Sequence, residues 1–62
     1  MPTLRVELFT GRTDEQKRDL VKKLTEACVA ALGTKPEGVD VLLFEIEKTH
    51  WATGGVLWSD KK

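Results

Sequence analysis

The chain has 62 residues, so it has room for one domain at most, and we assign residues 1–62 to a single domain. A domain of this size buries only about 60% of the surface that its unfolded chain exposes, which leaves a marginal core. The single cysteine, Cys28, excludes an internal disulfide, and no Cys/His cluster suggests a structural metal site, so we expect an oligomer.

Charge and hydropathy limit the partners. Ten basic residues balance ten acidic ones, and this balance gives no basic excess of the kind that nucleic acids or membrane surfaces favour. No apolar stretch approaches the roughly 18 residues of a spanning helix, and the first ten residues, which include Arg5 and Glu7, lack the apolar core of a signal peptide. We therefore expect a cytoplasmic protein without nucleic-acid or membrane partners.

The first predicted element is a strand over residues 3–9. Leu4, Val6 and Leu8 alternate with polar residues, which is typical of a strand with one buried face. Residues 10–12 then interrupt the pattern with a glycine.

A helix is predicted over residues 14–32. Thr13 and Gln16 have the spacing of a capping box, and acidic residues occupy the first turn, where the helix dipole favours negative charge. Apolar residues recur at helical spacing as far as Leu32, and Gly33 suits the position just after a helix.

A second strand is predicted over residues 39–46, after a polar connection. It is apolar on both faces apart from Asp40 and Glu45, as in strands that are covered on both sides. Strand, long helix and strand form a βαβ unit with parallel strands, so the fold class is α/β. The remaining segment, residues 50–58, looks like a turn followed by a short strand that docks elsewhere, on a neighbouring chain for example.

One helix can cover only one face of a two-stranded sheet. The other face carries Arg5, Glu7 and Phe9 from the first strand. From the second strand it carries either the set Leu42, Phe44 and Ile46 or the set Val41 and Leu43. In either case a partner chain must supply the cover.

Most residues with reactive side chains have ordinary structural interpretations. Cys28 lies on the apolar face of the predicted helix, where cysteines are mostly inert core residues. His50 has no evident catalytic partner in the sequence. No Ser-His-Asp arrangement and no phosphate-binding loop is present.

Pro2 is the remaining candidate for chemistry. Removal of Met1, which is expected before a proline, would leave a secondary amine at the chain end. An α-amino group titrates near pH 7.7–8.0 in model peptides, and burial or nearby cations lower the pKa of an amine toward the range where a general base is effective.

The sequence as a whole resembles the 4-oxalocrotonate tautomerase family of the tautomerase superfamily. The resemblance rests on the initial Met-Pro, on the run Gly-Arg-Thr-Asp-Glu-Gln-Lys at residues 11–17, and on His-Trp-Ala-Thr-Gly-Gly at residues 50–55. It covers essentially the whole chain without an insertion. The family implies βαβ protomers that dimerise into a four-stranded sheet, and three dimers that form a homohexamer.

The resemblance also implies an activity, the interconversion of enol and ketone in 2-hydroxymuconate, a diacid of aromatic degradation. Pro2 matches the catalytic base, and Arg12 matches an arginine that a neighbouring subunit supplies to bind a substrate carboxylate, as suits a guanidinium. Trp51 matches an aromatic wall near the proline, and main-chain amides near Leu8 and Phe9 would position the substrate oxygen. No cofactor or metal is implied.

One position departs from the family pattern. The diacid tautomerases carry a second arginine early in the second strand, and the aligned residue here is Asp40. Either Asp40 points away from the pocket, or the preferred substrate differs from the diacid, since a carboxylate 4 Å from another costs about 4 kcal/mol at an effective dielectric of 20. Two alternatives therefore stay open: a proline-dependent dehalogenase or hydratase of unsaturated acids, and a non-catalytic subunit of a hetero-oligomer.

Overall fold

The structure of the protein is a computed structural model, which describes residues 2–61. The expected removal of Met1 concerns a residue outside this range. The main elements follow the predicted order: strand β1 (Thr3–Phe9), helix α1 (Asp14–Leu32), strand β2 (Asp40–Ile46), and two short strands, β3 (Ala52–Thr53) and β4 (Val56–Leu57). Single 3-10 turns lie at residues 36–38, 48–50 and 58–60.

Strands β1 and β2 pair in parallel, which confirms the predicted βαβ unit. The register runs from Thr3 opposite Asp40 to Phe9 opposite Ile46. A hydrogen bond from the Asp40 amide to the Pro2 carbonyl (3.0 Å) extends the ladder at its start, and one from the Thr10 amide to the Ile46 carbonyl (3.2 Å) extends it at its end. Pro2 is therefore held in the sheet from the beginning of β1.

Helix α1 has the boundaries that its capping residues predict. The Thr13 hydroxyl accepts a hydrogen bond from the Gln16 amide (3.1 Å), and the Gln16 side chain accepts one from the Thr13 amide (3.0 Å). This capping box satisfies amide groups that have no partner inside the helix. Gly33, at φ 69°, ends the helix, and its amide donates to the Val29 carbonyl (3.0 Å).

Two side-chain contacts show which face of the sheet the helix leaves open. The Lys17 ammonium of α1 lies 3.2 Å from the Glu45 carboxylate, so Glu45 belongs to the helix side of β2. The Arg5 guanidinium lies over the Phe44 ring, 4.6 Å from its centroid. Because side chains alternate along a strand, the open face of β2 carries Phe44 together with Leu42 and Ile46.

The isolated protomer has too little core for its size. None of the described residues is buried, and Leu42 keeps 42% of its surface exposed. The accessible surface is 4901 Å², whereas a compact folded chain of 7.0 kDa has about 4,000 Å². The open sheet face therefore requires cover from outside the protomer, as the pattern of the two strands predicted.

The segment after β2 differs from its prediction. The predicted turn is present, but it joins two short strands rather than leading to one, and these strands form a hairpin in which Ala52 pairs with Leu57 and Thr53 with Val56. Gly54 (φ 63°) and Gly55 (φ 80°) fill both central positions of the turn. Two consecutive positive φ angles define a type I′ turn, which joins antiparallel strands through a two-residue loop.

Candidate active site

The candidate catalytic and substrate-binding residues lie at opposite ends of β1. Pro2 precedes the strand, and Phe9 is its last residue. Seven residue steps of about 3.3 Å separate their Cα atoms by about 23 Å. A single protomer therefore does not bring Pro2 together with Phe9, and a site that uses both needs two copies of the chain.

Pro2 lies beside Asp40 on the neighbouring strand. The Pro2 side chain is half-buried, whereas Asp40 is exposed. The hydrogen bond from the Asp40 amide to the Pro2 carbonyl fixes the two backbones next to each other. Asp40 thus places a carboxylate close to the start of the strand that carries the candidate base.

The Arg5 side chain is directed away from that carboxylate. It pairs with Leu42 in the register, and its guanidinium leans over Phe44, two residues further along β2. This direction leads away from Asp40. Arg5 therefore belongs to the open face of the sheet rather than to the Pro2 end.

Three aromatic side chains meet at the other end of β1, and we call Phe9, Trp51 and Trp58 the aromatic cluster. The centroid of the Phe9 ring lies 4.6 Å from that of Trp51, with an interplanar angle of 51°. It lies 5.4 Å from that of Trp58, with an angle of 60°. Tilted rings at such distances attract one another beyond the effect of their buried area.

Arg12 is anchored to the same cluster. Its Nη1 donates a hydrogen bond to the Phe9 carbonyl at 3.1 Å. The preceding Gly11 has φ 115°, a backbone conformation that residues with a Cβ rarely adopt. Since a guanidinium has five N–H donors, Arg12 retains donors for a substrate carboxylate while this bond persists.

Trp58 and two lysines complete this end of the molecule, and the sequence had not singled them out. The Lys48 ammonium lies 5.8 Å from the centroid of the Phe9 ring, and the Lys61 ammonium lies 4.6 Å from the centroid of Trp58. The Trp58 indole N–H donates to the Thr53 hydroxyl at 3.0 Å. The sequence does contain a signal for Trp58, since it is a large aromatic residue that follows a Gly-Gly turn. Such a turn reverses the chain and brings the next strand back beside the preceding one.

Cys28 and His50 lie outside both groups of candidate residues. Cys28 is half-buried on α1, and the His50 Nδ1 lies 3.0 Å from the Thr49 hydroxyl. Among residues 2–61, no three His, Cys, Asp or Glu side chains are grouped in a way that could hold a metal ion. Within the same range, no helix is both long and apolar enough to cross a membrane.

Comparison with known proteins identifies the family. The family model described as "Tautomerase enzyme" matches residues 2–61. A 2-hydroxymuconate tautomerase of Bacillus subtilis is 45% identical over 60 residues, which are 97% of each chain. The crystal structure of YwhB, a homologue of 4-oxalocrotonate tautomerase, superposes with a TM-score of 0.94 at 43% identity, covering 98% of this chain and 100% of that one.

A further solved structure is a heterohexamer 4-oxalocrotonate tautomerase from Chloroflexus aurantiacus, with a TM-score of 0.93, 32% identity and complete coverage of both chains. The chain belongs to the tautomerase family, in the group of the 4-oxalocrotonate tautomerases. It is accordingly an isomerase that interconverts tautomers, and the family resemblance of the sequence is confirmed.

Proposed function

We propose that the chain is an enol–keto tautomerase in which the amine of Pro2, free once Met1 is removed, is the general base. The substrate is a small 2-hydroxydienoate or a related 2-oxo acid, similar to 2-hydroxymuconate. The observation that carries the proposal is the placement of a half-buried Pro2 at the start of β1 in a chain of this family. The name of the Bacillus subtilis relative supports the substrate class.

In the proposed reaction, the neutral Pro2 nitrogen takes the proton of the enol hydroxyl. The electron pair of that O–H bond forms the ketone, and the π electrons of the enol bind a proton returned by the prolinium to carbon. The base is regenerated in each turnover, and the substrate gains and loses one proton. This balance needs no cofactor or metal, because the enol of a 2-oxo acid is already acidic.

Arg12, Phe9 and Trp51 are proposed to form the substrate-binding half of the site. Arg12 binds the carboxylate bidentately, the main chain near Phe9 positions the oxygen, and Trp51 provides an apolar wall. An apolar wall near an amine lowers the pKa of that amine, because it disfavours the charged form. Phe9, which Arg12 and Trp51 contact, lies about 23 Å from Pro2 along β1, and this distance implies that this half comes from a neighbouring copy.

The proposed assembly is a homohexamer, a trimer of dimers built on four-stranded sheets. The exposed face around Leu42 and Phe44 gives each protomer an apolar surface for such contacts. The heterohexamer from Chloroflexus aurantiacus, which has the same fold, supports the subunit number. The proposed setting is aromatic degradation in the cytoplasm.

The test is a turnover assay on protein whose intact mass shows that Met1 is absent. Ketonisation of 2-hydroxymuconate and of phenylenolpyruvate is followed by ultraviolet absorbance, for the wild type and for Pro2→Ala. Because Pro2→Ala replaces the secondary amine with a primary one, its rate should fall by up to the about 10²- to 10⁴-fold that a positioned general base contributes. Full activity of Pro2→Ala on both substrates would refute the role of Pro2.

The position of Asp40 favours a second candidate, a hydratase or dehalogenase of unsaturated acids. A carboxylate beside the strand of Pro2 could activate water while a cationic Pro2 acts as the acid. The pH dependence of kcat/KM separates the two: activity that rises with pH through the titration of the amine indicates a base, and activity that falls indicates an acid.

A non-catalytic role in a hetero-oligomer is the third alternative. A neighbouring chain with a cation at the position of Asp40 would supply the second arginine of the diacid tautomerases. The heterohexamer from Chloroflexus aurantiacus is an example of an assembly with different chains in this fold. A purified chain that lacks Met1, assembles alone and converts no enol would favour this alternative over both enzymatic ones.

A further inference from the structure

We infer that Trp58 is a positioning residue of this site, which holds Trp51 directly and Arg12 through Phe9. The inference rests on the proposed function of Arg12 as the carboxylate-binding group. Trp58 is not among the residues that the family resemblance implies for the site. Its contacts nevertheless join Trp51 to the segment that contains Phe9 and Arg12. These two parts of the substrate-binding half lie far apart in sequence.

The first connection runs through hydrogen bonds. The Trp58 amide donates to the Trp51 carbonyl at 2.8 Å, and the Trp58 indole N–H donates to the Thr53 hydroxyl at 3.0 Å. Trp58 therefore closes the hairpin at its base and again beside its turn. Since the indole N–H is already engaged, Trp58 contributes its ring and its backbone rather than a donor for a ligand.

The second connection runs through the rings. Trp58 packs on Phe9 with a centroid distance of 5.4 Å, and Phe9 packs on Trp51 at 4.6 Å. The carbonyl of the same Phe9 accepts the hydrogen bond from Arg12 Nη1. A shift of the Phe9 backbone would therefore move the anchor of the Arg12 guanidinium.

The hairpin needs such a tether, because it has little to hold it by itself. Strands β3 and β4 have two residues each, and residues 52–57 are all exposed in the protomer. A two-stranded hairpin is marginally stable at best without packing. The contact between Trp58 and Phe9 supplies packing against the end of β1, where Arg12 is anchored.

The experiment measures ligand binding, which does not depend on turnover. Isothermal titration calorimetry of the assembled protein uses 3-phenylpropionate, an acid that cannot tautomerise, and its uncharged amide as the reference. The variants are Trp58→Ala, Trp58→Phe, Arg12→Ala, and the double variant with alanine at both positions. Lys61→Gln is the matched control, since Lys61 lies on the Trp58 ring but has no described link to Phe9.

We expect Trp58→Ala to weaken binding of the acid about tenfold, within the range of a charge-assisted hydrogen bond, and to leave the amide nearly unchanged. Trp58→Phe, which keeps a ring against Phe9, should recover most of the affinity, and Lys61→Gln should bind like the wild type. In the Arg12→Ala background, Trp58→Ala should have no further effect on the acid.

Equal weakening of acid and amide by Trp58→Ala would overturn the inference, and so would additive effects of the two alanine substitutions, because both indicate a general structural role. If Trp58→Ala does not fold, Trp58→Phe and Thr53→Val decide the matter through the same comparison of acid and amide. Turnover is measured in parallel. A wild type that binds the acid through Arg12 but converts no enol refutes the proposed function, while the binding data still decide the role of Trp58.

Discussion

Mixing two inactive variants tests whether the active site is shared between copies. Pro2→Ala replaces the secondary amine of the proposed base with the primary amine of an alanine, and Arg12→Ala removes the proposed carboxylate-binding group at the other end of β1. Because about 23 Å of strand separates these ends, we expect each complete site to take Pro2 from one copy and Arg12 from another. A mixed assembly therefore contains some sites in which both halves are intact.

The expected recovery follows from the geometry. In a random one-to-one mixture, half of the sites receive an intact Pro2, and half of those receive an intact Arg12, so about one quarter of the sites are complete. Each variant alone should keep about 1% of the activity or less, because Pro2→Ala lacks the secondary amine, whose full contribution as a base is about 10²- to 10⁴-fold, and Arg12→Ala lacks the group that binds the carboxylate. The mixture should thus exceed the mean of its parents by at least about tenfold.

The assay denatures the two variants together, refolds them and measures ketonisation of phenylenolpyruvate at a fixed total concentration. Mixing the separately refolded variants immediately before the assay is the control for subunit exchange. Activity of the co-refolded sample equal to the mean of the parents would refute the shared site. Recovery well above one quarter would show that Arg12 is not needed at every site.

The remaining predictions concern stability and specificity. Thr13→Ala, which removes the capping box, should cost about 1 kcal/mol and lower Tm by about 4–8 °C at fixed protein concentration, whereas Thr13→Ser should restore most of it in the same thermal melt. The hydrogen bond to Glu45 raises the pKa of Lys17 above 10.5. The contribution of this ion pair to the free energy of unfolding is therefore present below pH 10.5 and should be lost as the pH rises through the raised pKa. In a series of denaturation curves between about pH 9 and 12, Glu45→Gln should reduce this dependence of stability on pH. Leu42→Asp should abolish the assembly seen by analytical ultracentrifugation, because it puts a charge on the open sheet face. Asp40→Arg should lower the KM for 2-hydroxymuconate more than that for phenylenolpyruvate, and equal KM changes would place Asp40 outside the site.

The main elements could be predicted from the sequence because their signals are local. The alternation in β1, the capping box at Thr13 and Gln16, and Gly33 after the helix each depend on residues within a few positions of one another. The parallel pairing of β1 with β2 then follows from the length of the helical connection. These parts of the fold need no knowledge of distant contacts.

The open face of β2 could not be assigned in this way, because the strand is apolar on both sides. The contacts of Arg5 with Phe44 and of Lys17 with Glu45 distinguish the two faces, in agreement with the exposure of Leu42. Both are contacts between elements that lie far apart in the sequence. The alternation of residues along a strand cannot identify its buried face when the residues on both faces are apolar.

The candidate site was predictable as a set of residues but not as a geometry. Pro2, Arg12 and Trp51 were recognised by family resemblance, whereas the aromatic cluster depends on the hairpin that returns Trp58 to Phe9. The Gly54-Gly55 pair was read as a turn, but not as one that pairs residues 52–53 with 56–57. The sequence analysis therefore lacked the type of turn, and the type of turn determines where the side chains that follow it lie.

The dimensions of the protomer indicate that the stability and the proposed activity of this chain both depend on assembly. A strand of seven residues is long enough to keep Pro2 out of reach of Arg12, and a two-stranded sheet with one helix is too small to bury any described residue. We therefore expect the contacts that cover Leu42 and Phe44 in the assembly to form together with those that unite the two halves of the proposed site. Dilution or a substitution on the open face should consequently reduce stability and activity in parallel, whereas a substitution confined to Arg12 should reduce activity alone.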